Sequence, residues 1–146
     1  MSEEPSRRWV LIDAGLLVLR IGIGLMFLVH GYPKLAGGPE KWAGVGRAME
    51  TLGIGFAPAM WGFFAALSEF LGGLCLIGGL AVRYAASLML ITMFVASTKH
   101  LAAGDGLLGA SHAIEAGIVF LTLVVMGGGR HSLDARLFER SRGAKK

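Results

Sequence analysis

Four apolar stretches decide what this chain can fold into. Residues 10–29, 57–80, 84–98 and 107–129 contain only four of its 24 charged side chains: Asp13, Arg20, Glu69 and Glu115. Crossing about 30 Å of hydrocarbon takes about 20 helical residues at 1.5 Å each. The second stretch has length to spare. The third is short, and becomes long enough if it continues through Lys99 and His100 to Ala103, with the lysine stem reaching toward the headgroups. A water-soluble helical bundle would show a polar face recurring every 3.6 residues on each helix, and none of the four does. In lipid the backbone must satisfy its own hydrogen bonds, which makes these stretches helices. The expected fold is all-α: one domain, an integral membrane four-helix bundle with spans at about 9–31, 57–80, 84–103 and 107–129, followed by a basic tail over 130–146.

Composition closes off the alternatives. With 54% hydrophobic residues the chain is not disordered, and a lone cysteine, Cys75, excludes a disulfide scaffold, C-x-x-C redox chemistry and cysteine-ligated zinc or iron–sulfur sites. The net charge of +4 lies mostly beside the spans, where anionic lipid headgroups are a nearer partner than nucleic acid, and no nucleic-acid binding is expected. Arg7 and Arg8 precede an apolar run as in a signal peptide, but Asp13 and Arg20 interrupt that run and no A-x-A-like site follows. The run therefore reads as an uncleaved first helix. Arg7, Arg8, Arg83, Arg130, Arg136, Arg140, Arg142, Lys145 and Lys146 fall on one side of the membrane; Lys34, Lys41, Arg47 and Lys99 fall on the other. The imbalance places both termini in the cytoplasm.

Between the first two spans, Trp42, Val45, Met49 and Leu52 recur at helical spacing, with Arg47 and Glu50 on the other side. This is the pattern of a short interfacial helix that caps the outer mouth of the bundle, or of a plain surface turn. In the tail, Leu133, Leu137 and Phe138 sit among arginines, as in a short basic helix on the inner leaflet.

Ionisable groups inside a bilayer are costly unless paired, so their positions carry the functional information. If the first helix enters at Trp9 and the second leaves at Leu80, Arg20 and Glu69 both lie about 16 Å from the cytoplasmic edge, and an Arg20–Glu69 ion pair is expected. Gly62, Ala65, Ala66, Gly72 and Gly73 around Glu69 admit a close neighbouring helix. At the outer end His30 and Lys34 close the first span, Lys99 and His100 close the third, and His112 and Glu115 open the fourth. His30, Lys34, His100, His112 and Glu115 are therefore the candidate ligand residues. A quinone headgroup needs proton donors near its carbonyls in an apolar slot, and histidine and lysine suit that task. A di-iron bundle would need two E-x-x-H motifs with two further carboxylates, whereas the chain offers H-x-x-E once; no metal is expected.

Arg20, His30-Gly31 with Lys34, Glu69 among glycines, Gly79-Leu80 with Arg83, the histidine closing the third span and Ser132-Leu133-Asp134 together resemble the DoxX family of four-helix bacterial membrane proteins. The resemblance runs from about Leu19 to Asp134. It implies a membrane subunit of an oxidoreductase system, its relatives being linked to thiosulfate:quinone oxidoreductase and to a complex joining superoxide removal to thiol homeostasis. Arg20, His30, Lys34 and Glu69 become the residues to test by that analogy. Three functions remain in view: a membrane subunit of a quinone-linked or thiol/sulfur oxidoreductase complex, a non-catalytic scaffold or assembly factor, and a small transporter or proton path that would need an oligomer. No covalent cofactor is implied and a quinone is admitted. The expected partners are membrane lipids, oxidoreductase subunits or soluble redox enzymes, and a second copy of the chain.

Overall fold

The computed structural model describes residues 7–143. Among them there is no strand. The order is α1 (Arg7–Leu35), α2 (Gly38–Gly46), a 3-10 helix (Arg47–Leu52), α3 (Pro58–Gly78), α4 (Val82–Ala102), α5 (Gly106–Met126) and α6 (Leu133–Gly143). Of these, α1, α3, α4 and α5 are long and apolar enough to cross a membrane. They form the expected four-helix membrane bundle with a shorter helix between its first two spans. Lys145 and Lys146 of the basic tail lie outside the described residues.

The helix ends follow local chemistry. α1 runs past Gly31 and through Pro33 to Leu35, because a proline in the last turn deprives a single carbonyl of its partner. α5 stops at Met126, since Gly127 takes φ 74° and ψ −160°, which a side chain would resist. At the α3–α4 turn, Gly79 is left-handed (φ 69°) and the Leu80 N–H bonds back to the Cys75 carbonyl, the bond that closes a helix C-terminus. Ala81 is also left-handed (φ 48°), a strained state for a residue with a Cβ.

Glycines set how the helices meet. A methyl group at Gly24 would strike the Gly73 carbonyl and Ile77, and one at Gly31 would strike the backbone of Glu69 and Phe70. These contacts fix the register of antiparallel α1 and α3, with Gly31 level with Glu69 and Gly24 level with the segment from Gly73 to Ile77. Gly46 of α2 lies against Pro58 and Gly62, and Gly62 against the Trp42 carbonyl, so α2 rests backbone to backbone on the start of α3. The sequence pattern pointed instead to an apolar face of Trp42, Val45, Met49 and Leu52. In the structure the helix tightens to 3-10 at Arg47, and Leu52 is exposed while Gly46 and Ala48 are buried.

The core is built from Phe27, Leu76, Val82, Ala86, Met89, Phe120 and Leu123. α1 packs on α3, α3 on α4, and α4 on α5, whereas α1 and α5 have little close backbone approach. Their gap is filled by Phe27 and Phe120, edge to face at 4.9 Å. Val18, Leu25, Val29, Leu88, Ile91, Phe94 and Ile118 point outward as a lipid-facing belt.

Gly62→Val should push α2 off α3. Overpacking of this kind costs about 1–3 kcal/mol, read as a lowered thermal midpoint of the purified protein in mild detergent. An unchanged midpoint would mean that α2 is not seated as described.

Candidate functional site

The buried charges separate into two clusters about 16 Å apart along the bundle. At the α2 end, Glu69 of α3 is buried and both its carboxylate oxygens accept from Lys34 Nζ of α1, at 2.7 Å (Oε1) and 2.6 Å (Oε2). The Glu69 side chain is 3% exposed and that of Lys34 is 31% exposed, so the pair is screened from one side only. Trp42 Nε1 donates to the Lys34 and Leu35 carbonyls, tying α2 to the end of α1, and its ring meets Phe63 edge to face. Across α3 and α4, Ser68 and Thr92 share a 2.8 Å hydroxyl bond.

Arg20 does not pair with Glu69. The glycine contacts put Glu69 level with residue 31, eleven residues along α1 from Arg20, or about 16 Å. The expected pair assumed that Trp9 and Leu80 mark the same depth; the packing slides α1 by three turns relative to that alignment. Arg20 is fully buried, and it donates from Nη1 to the Leu76 carbonyl at 3.0 Å and from Nη2 to the His131 carbonyl at 2.9 Å.

Around Arg20 the tail closes on the bundle. Asp13 accepts from the Arg130 N–H (2.9 Å), Ser132 Oγ donates to the Gly129 carbonyl (2.6 Å), and Asp134 accepts from the Ala81 and Val82 N–H groups at 2.7 and 2.9 Å. Asp134 thus caps α4 from another part of the chain, and holds the strained Ala81 in place. Arg83 Nη2 donates to the Val125 carbonyl at the end of α5. Sequence reasoning gave Asp13 no role here. The Ser132-Leu133-Asp134 run after three glycines was the only signal that the tail had a fixed seat.

The five rim residues also separate. Lys34 is committed to Glu69. His100 Nδ1 lies 2.8 Å from Asp105 Oδ2 in the α4–α5 turn, both side chains being nearly half exposed. His30 and His112 come together: their rings lie 5.4 Å apart, tilted by 29°, across the α1–α5 gap. His30 Nδ1 is 2.8 Å from the Met26 carbonyl; that oxygen can only accept, so Nδ1 carries a proton and Nε2 is the free edge. His30 and His112 are exposed in the chain alone. Glu115, one turn further along α5, is exposed as well and has no hydrogen bond or ion pair among the described residues. Nor do any three His, Cys, Asp or Glu side chains among them cluster as a metal site requires.

The family model described as DoxX matches residues 15–101. The chain is 30% identical over 129 residues to the inner membrane protein YqjF of Escherichia coli (strain K12), covering 86% of this chain and 93% of that protein. No solved structure matches.

Removing one partner of a buried ion pair costs about 3–5 kcal/mol, and the exposure of Lys34 puts Lys34→Ala at the lower end of that range. The double change Lys34→Met with Glu69→Leu should regain most of the loss, which a double-mutant comparison of detergent melting will show. Asp134→Ala should cost about 1–2 kcal/mol through the lost cap. Faster hydrogen exchange confined to the first turn of α4 would locate the effect; unchanged exchange there would contradict it.

Proposed function

The chain belongs to the DoxX family, and on that premise we propose that it is the membrane subunit of a quinone-linked or thiol/sulfur oxidoreductase complex, with the His30–His112 pair as its quinone-contacting element. The observation that supports this most is that pair: two histidines from different helices, stacked, exposed on the lipid side, about two turns in from the start of α5. In a cell this position is reached laterally from the bilayer, as a lipid-soluble headgroup requires. With Nδ1–H engaged by Met26, neutral His30 offers the Nε2 lone pair to a quinol hydroxyl proton. Protonated, the same edge donates to a quinone carbonyl. The chain supplies binding and a proton relay; the two electrons leave a quinol for, or reach a quinone from, a redox group on a partner subunit. In this reading the protein sits in the bacterial inner membrane with both termini in the cytoplasm, as the distribution of basic residues favours.

The scaffold reading gains support from the tail. The hydrogen bonds of Asp13, Arg20 and Asp134 hold the start of α6 rigidly, and α6 presents exposed Leu133, Arg136 and Leu137 to whatever lies below. Deleting residues 135–146 should then abolish capture of the partner enzyme while membrane insertion persists. The transporter reading is not favoured, because Arg20 and Glu69 are each closed off by their own partners about 16 Å apart.

The test is His30→Gln in the assembled complex. Loss of one hydrogen bond of roughly 1.4 kcal/mol predicts about tenfold weaker quinone binding, measured by competition with a photoreactive quinone analogue. Unchanged labelling and unchanged quinone turnover would remove the proposal.

A further inference from the structure

Glu115 is an anomaly that the bundle leaves unanswered. It lies nine residues into α5, about 13–14 Å from the helix start, on the lipid-facing side. A carboxylate at that depth with neither a partner nor water is costly enough that it should be covered in the membrane. It does not stand alone. Ser111, Glu115, Ile118, Thr122 and Val125 follow one another at alternating spacings of four and three, which lines them up on one face of α5. All except the half-buried Ser111 are exposed. The stripe faces away from Ala113, Ala116, Gly117 and Phe120, the residues with which α5 meets the rest of its own bundle. The Ser111 and Thr122 hydroxyls are bonded back to the Leu108 and Ile118 carbonyls, so they are satisfied within α5 and still able to accept from outside.

We propose that this stripe is a dimer interface, in which α5 of one copy packs in parallel on α5 of a second copy and the Glu115 of each is answered by the His112 of the other. Two copies inserted in the same sense and related by an axis along the membrane normal place every residue level with its counterpart, and such an interface is self-complementary. The second copy is the occupant that the charges select. His112 sits one turn from Glu115, exposed, on the flank of the same stripe. The exposed cations of α4, Arg83 and Lys99, lie at its two ends and not at this depth. An α5–α5 contact therefore brings acid and base together twice, each Glu115 within one turn in height of the partner copy's His112, using a single helix. It also sets the partner's α5 beside the His30–His112 pair, so the second copy walls one side of that site. The dimer stands on the stripe and does not depend on what the histidines bind.

The experiment uses the full chain in native membranes with Cys75→Ser as background. Ile118→Cys and Val125→Cys should each give an oxidative cross-link at twice the mass of the chain, whereas Ile91→Cys on the lipid face of α4 should not. Light scattering in mild detergent should show a dimer that Glu115→Ala and His112→Ala each weaken roughly tenfold, while His30→Gln leaves it intact. A monomer at every concentration, with Ile118→Cys linking no more than Ile91→Cys, would overturn the proposal. So would an Ile118→Cys product of another mass, which would assign the stripe to a different protein. If the dimer forms and quinone labelling fails, the interface survives and the quinone reading falls.

Discussion

A bilayer offers a buried charge nothing but other protein groups, and the arrangement of this bundle follows from how Glu69 and Arg20 are answered. Glu69 takes the Lys34 ammonium, which requires the end of α1 to stand level with the middle of α3. Gly31 and Gly24 let the two backbones close to that register, and Gly73 meets them from the other side. Once α1 is set at this height, the Arg20 guanidinium falls three turns lower, where only carbonyls and the returning tail can satisfy it. The two charge clusters are thus two results of one helix alignment.

The spans were legible because hydropathy over twenty residues is a strong signal and lipid leaves the backbone one solution. The order of Arg20, His30-Gly31, Lys34, Glu69 and Gly79 carried the family. The partner of Glu69 was not legible. Depth counted from hydropathy edges carries an error of several residues, and here Trp9 and Leu80, taken as level, differ by about three turns. What fixes the true alignment is contact between glycines, which hydropathy does not weigh. The α2 segment shows the same limit: its larger apolar residues suggested the packing face, and Trp42 does meet Phe63, but the closest approach is Gly46 on Gly62.

The rim was half legible. Of the five residues assigned to it, only His30 and His112 meet each other, because α1 and α5 approach through long side chains across a wider gap. Lys34 turned inward to Glu69, and His100 turned to Asp105, a neighbour five residues away in the same turn. Sequence reasoning can place residues at one end of a bundle; which of them face each other depends on helix rotation. The tail clamp was the least legible part. An aspartate that caps a distant helix looks, in sequence, like any other aspartate in a basic tail.

That clamp has a bearing on assembly. Ala81 and Val82 sit in the turn between the second and third crossings, and their N–H groups face an acceptor that is synthesised only after the fourth crossing. The same late segment supplies the carbonyl for Arg20 and the N–H for Asp13, both in the helix made first. Until residues 130–134 leave the ribosome, the nascent protein holds a cation and a carboxylate in lipid without their final partners. Closure of these contacts therefore waits for that segment, and it joins the oldest helix to the youngest stretch of chain.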